Sequence, residues 1–314
     1  MKTIVIFLME LCPICYNHTR GGMDMQVMAR AKINWTLDVL FRQPDGYHQL
    51  DMLLQSVALC DTITILPGEE LSLRLSQGAR VPDTEDNLVL KAAKALQKAS
   101  GSRLGADIYL QKNIPIGAGM GGGSADAAAV LAGLNRLWGL SFSMEELQAV
   151  GLAVGADVPF CLRGGLMRAR GIGEILDPLP CARQFWLAVV QPCRGLGTKK
   201  VFSSLEWEKI PQDSRPDTKA AILALEQGDL ASLCCAMGNA LQPTSETLRP
   251  EIRVAVQALR LNGARHAMMT GSGSAVYGVF ASAVHARSAL AALRRRWPAC
   301  FMTHTCLEGI VFQE

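Results

Sequence analysis

Aromatic residues are scarce in this sequence, 6% of 314 residues, and neither sign of charge dominates: 31 lysines and arginines face 28 acids, for a net charge of +3. A chain so nearly neutral cannot hold a polyanion by bulk charge, so nucleic acid is not an expected partner. No apolar run approaches the ~20 residues needed to cross a bilayer, and the candidate near the start, Thr3 to Met9, is interrupted by Glu10 and Pro13. That stretch also lacks a small-x-small cleavage site before Arg20-Gly21-Gly22, so neither a membrane span nor a secretory leader is expected. Internal repeats and low-complexity segments are missing too.

What is present is the composition of a globular protein, 49% hydrophobic and 19% charged, with length for two domains. Ten cysteines scattered from Cys12 to Cys306 fit reduced thiols in a cytoplasmic protein. Cys12-Pro13-Ile14-Cys15 with His18 nearby has no second ligand pair to complete a zinc site. Residues 1–22 read as a non-native or disordered extension, because strand patterning begins only after Met23.

Strand formers run from Val27 to Val39 and stop at the turn signal Gln43-Pro44-Asp45-Gly46; Thr62–Leu66, Leu71–Leu75 and Ala106–Leu110 follow as strands. Leu88–Ala99 has helical spacing, and after a Gly-rich loop Val130, Leu131, Leu134, Leu137 and Trp138 share one helix face. Ser143-Met144-Glu145-Glu146 is a capping box. Gly164-Gly165 and Gly171-Ile172-Gly173 punctuate a hairpin. Beyond a boundary near Pro178–Pro180 come a strand at Phe185–Val190 and helices at about 218–240 and 248–261. The loop Thr270-Gly271-Ser272-Gly273, a strand at Ala275–Phe280 and a helix ending in Arg294-Arg295-Arg296 complete the chain. Strands and helices that do not strictly alternate predict an α+β fold. The expected division is 23–182 and 183–314.

The most informative stretch is Ile114-Pro115-Ile116-Gly117-Ala118-Gly119-Met120-Gly121-Gly122-Gly123-Ser124, running into the amphipathic helix. So many glycines let successive N–H groups face an anion, and the helix start adds unpaired N–H groups, so the loop suits phosphate. A dinucleotide fold would need an acid closing a second strand about 20 residues on, where Glu145 and Glu146 instead open a helix. A P-loop needs Lys-Ser or Lys-Thr after the glycines, which is missing. Ser124 stands at the helix start, as an N-cap or facing a phosphate or its magnesium. Asp157, in Gly155-Ala156-Asp157-Val158-Pro159, is a lone carboxylate among apolar neighbours, and Lys32 a lone cation in an apolar strand. With a phosphate loop they form an acid/base and cation set for phosphoryl transfer.

Ala31-Lys32-Ile33-Asn34, Asp45-Gly46-Tyr47-His48, the loop Pro115 to Ser124 with Ala125-Asp126-Ala127-Ala128, Gly155 to Pro159, Gly171-Ile172-Gly173-Glu174 and Gly271-Ser272-Gly273 stand in an order that resembles the GHMP kinases from about Met23 onward. The resemblance implies a two-domain α+β architecture, a ribosomal-protein-S5-like N-terminal domain (ATP-binding) and a ferredoxin-like C-terminal one, with ATP and acceptor meeting between them. It implies ATP contacts at Asn87, Lys112, Pro115, Gly117, Gly119, Gly121, Gly122, Gly123 and Ser124, with Mg²⁺ at Ser124. Lys32 and Asp157 would act on the acceptor hydroxyl. Asn34, Tyr47, His48, Phe202 and Thr198 would bind a small-molecule substrate carrying a cytidine diphosphate group, Tyr47 and Phe202 sandwiching the cytosine. Gly197 departs from the family's usual Ser. The implied enzyme belongs to the non-mevalonate isoprenoid route and works in the cytoplasm as a monomer or weak homodimer. The alternatives are kinases of homoserine, mevalonate or a sugar, or a silent ATP-binding regulator.

Overall fold

The computed structural model describes residues 25–76, 86–212 and 215–313; the expected N-terminal extension and the Cys12–Cys15 pair lie outside the described residues. The first half is built on a long hairpin, β1 (Met25–Arg42) and β2 (His48–Gly68). Asp45 closes its turn by accepting the Tyr47 N–H, while Gly46 takes φ 89°. The isolated strand expected at Thr62–Leu66 is thus the end of a 21-residue strand. β3 (Leu71–Leu75), α1 (Leu88–Ser100), β4 (Gly105–Gln111), α2 (Gly122–Leu137), α3 (Met144–Leu152), α4 (Val158–Arg163) and the hairpin of β5 (Leu166–Gly171) and β6 (Ile175–Leu179) follow.

α2 lies against β1 and β2 on its alanines: Ala125, Ala127, Ala128 and Ala129 are buried, and at Gly133 even a methyl group would run into Ile65. The helix is therefore buried more widely than its Val130/Leu131/Leu134 face, and of the expected row Leu137 and Trp138 reach only the rim of the core. Ser143 and Glu146 form the expected capping box of α3.

The second half contributes β7 (Trp186–Val190), α5 (Thr198–Ser203), α6 (Thr218–Gln227), α7 (Leu230–Ala236), β8 (Gly238–Asn239), α8 (Gln242–Leu248), α9 (Glu251–Leu261), β9 (His266–Met269), β10 (Val276–Phe280), α10 (Ala283–Leu293), β11 (Cys300–His304) and β12 (Ile310–Gln313). The helix expected over 218–240 is two, broken where Gly228 turns left-handed and Asp229 caps α7. The antiparallel sheet β11-β7-β10-β9 has the ferredoxin-like order, with α9 and α10 packed on it.

Residue 183 falls between β6 and β7, but β8 and β12 return to pair with β1 in the first sheet. One continuous hydrophobic core spans both sheets. Some of the few aromatics are spent on this seam: Trp35 of β1 meets Phe185 edge-on at 5.5 Å and Tyr277 at 6.0 Å. Among the described residues no helix is long and apolar enough to cross a membrane.

Burial, helped by Arg260, pushes the His266 imidazole from its ordinary 6.5 down to about 4. Between those values the unfolded chain binds a proton that the folded chain refuses, so stability is present above pH 6.5 and lost as pH falls through about 4. The expected loss is up to about 3 kcal/mol, and denaturation midpoints against pH should show a flatter slope in that window for His266→Gln.

Candidate active site

β1 organises the cleft because two of the three slips in its pairing with β2, between Arg30 and Lys32 and between Asn34 and Thr36, flank the cleft residues. A slipped ladder leaves N–H groups for other partners. The Lys32 N–H donates to the Met120 carbonyl of the Gly-rich loop at 3.0 Å, and the Asn34 N–H donates to Thr270 Oγ1 at 3.1 Å. One strand thereby holds a loop from each half of the protein.

The side chains between those anchors are the ones expected to do chemistry. Lys32 is 5% exposed; its Nζ donates to Asn34 Oδ1 at 2.9 Å and stands 3.9 Å from Asp157 Oδ2. Asp157 occupies the N-cap position of α4, its side chain is 37% exposed, and it makes no capping hydrogen bond. An Asp at an N-cap ordinarily spends its oxygens on the helix N–H groups; this one faces the cleft. The Asn34 amide oxygen also accepts the Gly271 N–H at 3.1 Å, so Asn34 is buried structure as well as cleft wall.

The glycines of the loop divide their labour. Gly119 has φ 77°, and a Cβ there would run into the Thr270 carbonyl oxygen; a Cβ on Gly195 would run into the Gly117 carbonyl. The loop is thus wedged between two backbone segments of the second half, a demand beyond anion binding. Gly122 and Gly123 are the first residues of α2, whose N-cap is Gly121. Ser124 is therefore the third helical residue and not the cap, and its hydroxyl lies beside Gly155.

The cleft measures about 570 Å³, and all nine expected ATP residues line it. Asn87 also caps α1 through the Val89 N–H. Lys112 is held by two buried carboxylates, Asp61 and Asp126, the latter at 2.7 Å. Burial alone would lower its pKa, but Asp126 and Asp61 outweigh that and hold it above its usual value. Burial pushes the Asp126 carboxyl well above the carboxylate range, with Lys112 opposing it.

On the acceptor side the expected residues come together only in part. Phe202 and Thr198 line the cleft, and Thr198 Oγ1 lies 3.0 Å from Ser272 Oγ. It is His48 whose ring meets Phe202, at 5.1 Å, while Tyr47 is 60% exposed at the hairpin turn. Burial and then Arg42 lower the His48 pKa from 6.5, which favours a neutral ring at neutral pH. The apolar wall of Leu37, Leu50, Met52 and Leu241 was missed from sequence, because alternation marks those residues as core and does not say which core positions border a cavity. Asp61 was missed as well: β2 carries Asp51 besides it and several other polar residues, so nothing in the pattern of that strand singles Asp61 out.

Gly119→Ala combines a left-handed φ with a backbone collision. It should cost roughly 2–4 kcal/mol of stability and weaken nucleotide binding, both measurable by thermal shift with and without ATP.

The GHMP kinases N terminal domain profile matches residues 87–165 and the GHMP kinases C terminal profile residues 221–299. A curated 4-diphosphocytidyl-2-C-methyl-D-erythritol kinase from Alkaliphilus metalliredigens is 41% identical over 85% of this chain and 91% of its own. One of the same name from Pelotomaculum thermopropionicum is 41% identical over 90% of this chain and 98% of its own. The crystal structure of a 4-(cytidine 5'-diphospho)-2C-methyl-D-erythritol kinase, 33% identical, superposes with a TM-score of 0.76 over 90% of this chain and 99% of that one. A homoserine kinase structure from Cytophaga hutchinsonii, at 18% identity and a TM-score of 0.74, covers 94% of this chain and 98% of its own and shares the fold alone. Together with a Gly-rich loop set against Lys32 and Asp157, these likenesses show that the chain belongs to the GHMP kinases, and within them to the 4-diphosphocytidyl-2-C-methyl-D-erythritol kinases.

Proposed function

We propose that the chain transfers the γ-phosphate of ATP to the 2-hydroxyl of 4-diphosphocytidyl-2-C-methyl-D-erythritol, a step of the non-mevalonate route to isoprenoid precursors. The observation that carries this reading is the Lys32–Asp157 pair, 3.9 Å apart beside the Gly-rich loop, in a chain 41% identical to curated kinases named for that substrate. Asp157 accepts or orients the hydroxyl proton. Lys32 holds the hydroxyl oxygen and offsets the charge that develops on it. Asn34 fixes the Lys32 ammonium in that position. Loop and helix N–H groups of residues 117–124 meet the phosphates. Phosphoryl transfer passes through a loose transition state, so alignment and charge contribute more than base strength.

Ser124 and Asp157 both present oxygen to the cleft, and a hard cation such as Mg²⁺ suits few protein oxygens plus substrate phosphates. Among the described residues no group of three His, Cys, Asp or Glu side chains could cage a metal by itself, in keeping with that mode. Magnesium bound there would neutralise phosphate charge.

The base is recognised by Phe202 and Tyr47 through stacking and by His48 through its edge. Movement of Tyr47 from its exposed turn toward Phe202 would complete the sandwich. Residues 23–182 and 183–314 serve as the two walls. The described cysteines are free, in keeping with work in the cytoplasm, where the chain acts as a monomer or weak homodimer.

A coupled ADP-release assay with ATP, magnesium and the cytidyl substrate, run beside homoserine and mevalonate, tests the assignment. Selective turnover of the cytidyl substrate is expected. Asp157→Asn should lower kcat by about 10²–10⁴ while nucleotide affinity stays within about twofold, since the lost group meets the acceptor. Tyr47→Ala should raise the KM for the cytidyl substrate roughly 5- to 150-fold, the equivalent of about 1–3 kcal/mol of lost stacking, leaving the KM for ATP in place; an unchanged acceptor KM would make that ring structural.

A further inference from the structure

The Gly-rich loop has its two ends tied to a single ammonium. At its entry, the Asp61 carboxylate accepts the N–H groups of Asn113 and of Ile114, the latter at 2.8 Å, and also Lys112 Nζ. At its exit, Asp126 in the first two turns of α2 accepts from the same Nζ at 2.7 Å. Both carboxylates are buried, at 0% and 3% exposure. Two acids around one cation exceed what the cation can neutralise, and the Asp126 carboxyl is pushed well above the usual range by burial. Its second oxygen, Oδ1, has no hydrogen-bond partner, although Asp126 lines the cleft. Fold stability alone does not favour such an arrangement, because buried polar atoms are ordinarily satisfied. An ammonium carries three donors; two are taken here, and the third is left for an acceptor in the cleft that Lys112 also lines.

We propose that Asp61 and Asp126 are positioning residues for the nucleotide, which act through Lys112 to aim its remaining donor into the cleft and to hold both ends of the Gly-rich loop in register. The proposal rests on the kinase reading above. It separates these two carboxylates from Asp157: they serve the nucleotide side only and touch neither the acceptor nor the transferred proton.

The test is ATP affinity, measured by calorimetry on the full chain without acceptor, together with separate KM values for ATP and for the cytidyl substrate. Asp126→Ala should raise the ATP dissociation constant about tenfold and leave the acceptor KM within about twofold. Asp126→Asn, which keeps an oxygen for Lys112, should recover most of that loss. Asp61→Asn, which keeps shape but surrenders an acceptor, should move in the same direction as Asp126→Ala, and it serves if the alanine variant fails to fold. In a Lys112→Met background the alanine substitution should add little, since the link is already cut. Folded variants that bind ATP as tightly as the wild type, or that raise the acceptor KM in parallel, would overturn the proposal while leaving the kinase reading intact. A wild-type chain that binds no adenine nucleotide would overturn both.

Discussion

The cleft depends on a close approach of backbones. The loop at 117–121 sits against residues 270–273 on one side and Gly195 on the other, at distances that a single Cβ would violate. The Ala275 N–H donates to the Ala118 carbonyl at 3.1 Å, and Gln191 Nε2 donates to the Ile116 carbonyl at 2.9 Å, so the loop is pinned by hydrogen bonds as well as shape. A loop that serves the proposed phosphate binding keeps several N–H groups unpaired in its free state, which costs stability. The seam offsets that cost by satisfying the opposite edge of the same backbone.

β1 is the second element on which the site rests, for an electrostatic reason. Its slipped pairing brings Lys32 and Asn34 under both loops, and the Tyr277 hydroxyl donates to the Asn34 carbonyl at 2.7 Å behind them. The two cleft lysines then differ in how far they are committed. Lys112 is clamped between two buried carboxylates, whereas Lys32 has one amide oxygen and a half-exposed Asp157 at 3.9 Å. A loosely paired ammonium beside an uncommitted carboxylate can reorganise around a reacting hydroxyl; a clamped one can only hold.

Much of this was legible in the residues, because the signals are local. The capping pair Ser143 and Glu146, the turn at Asp45-Gly46 and the glycine run before α2 all act within a few positions, so their patterns survive in one dimension. The ordered motifs also led to the family, and Lys32 and Asp157 met in space as expected. Where local reading failed, a distant partner had decided the matter: β2 extends to 21 residues because β1, β4 and β5 pair along it, and α2 is buried beyond its apolar face because the sheet and its neighbouring helices enclose it.

The strands and helices whose signals are short-range, the α+β class, and a glycine-rich loop with Lys32 and Asp157 as the expected cation and acid were all readable from the residues in order. Three features needed the folded chain to emerge: Asp157 leaves its helix uncapped to face the cleft, the His48 ring meets Phe202, and Lys112 joins Asp61 to Asp126. Those outcomes depend on which residues become neighbours across long stretches of chain, and that is set by how the two sheets close over one shared core, a global packing condition that no local spacing records.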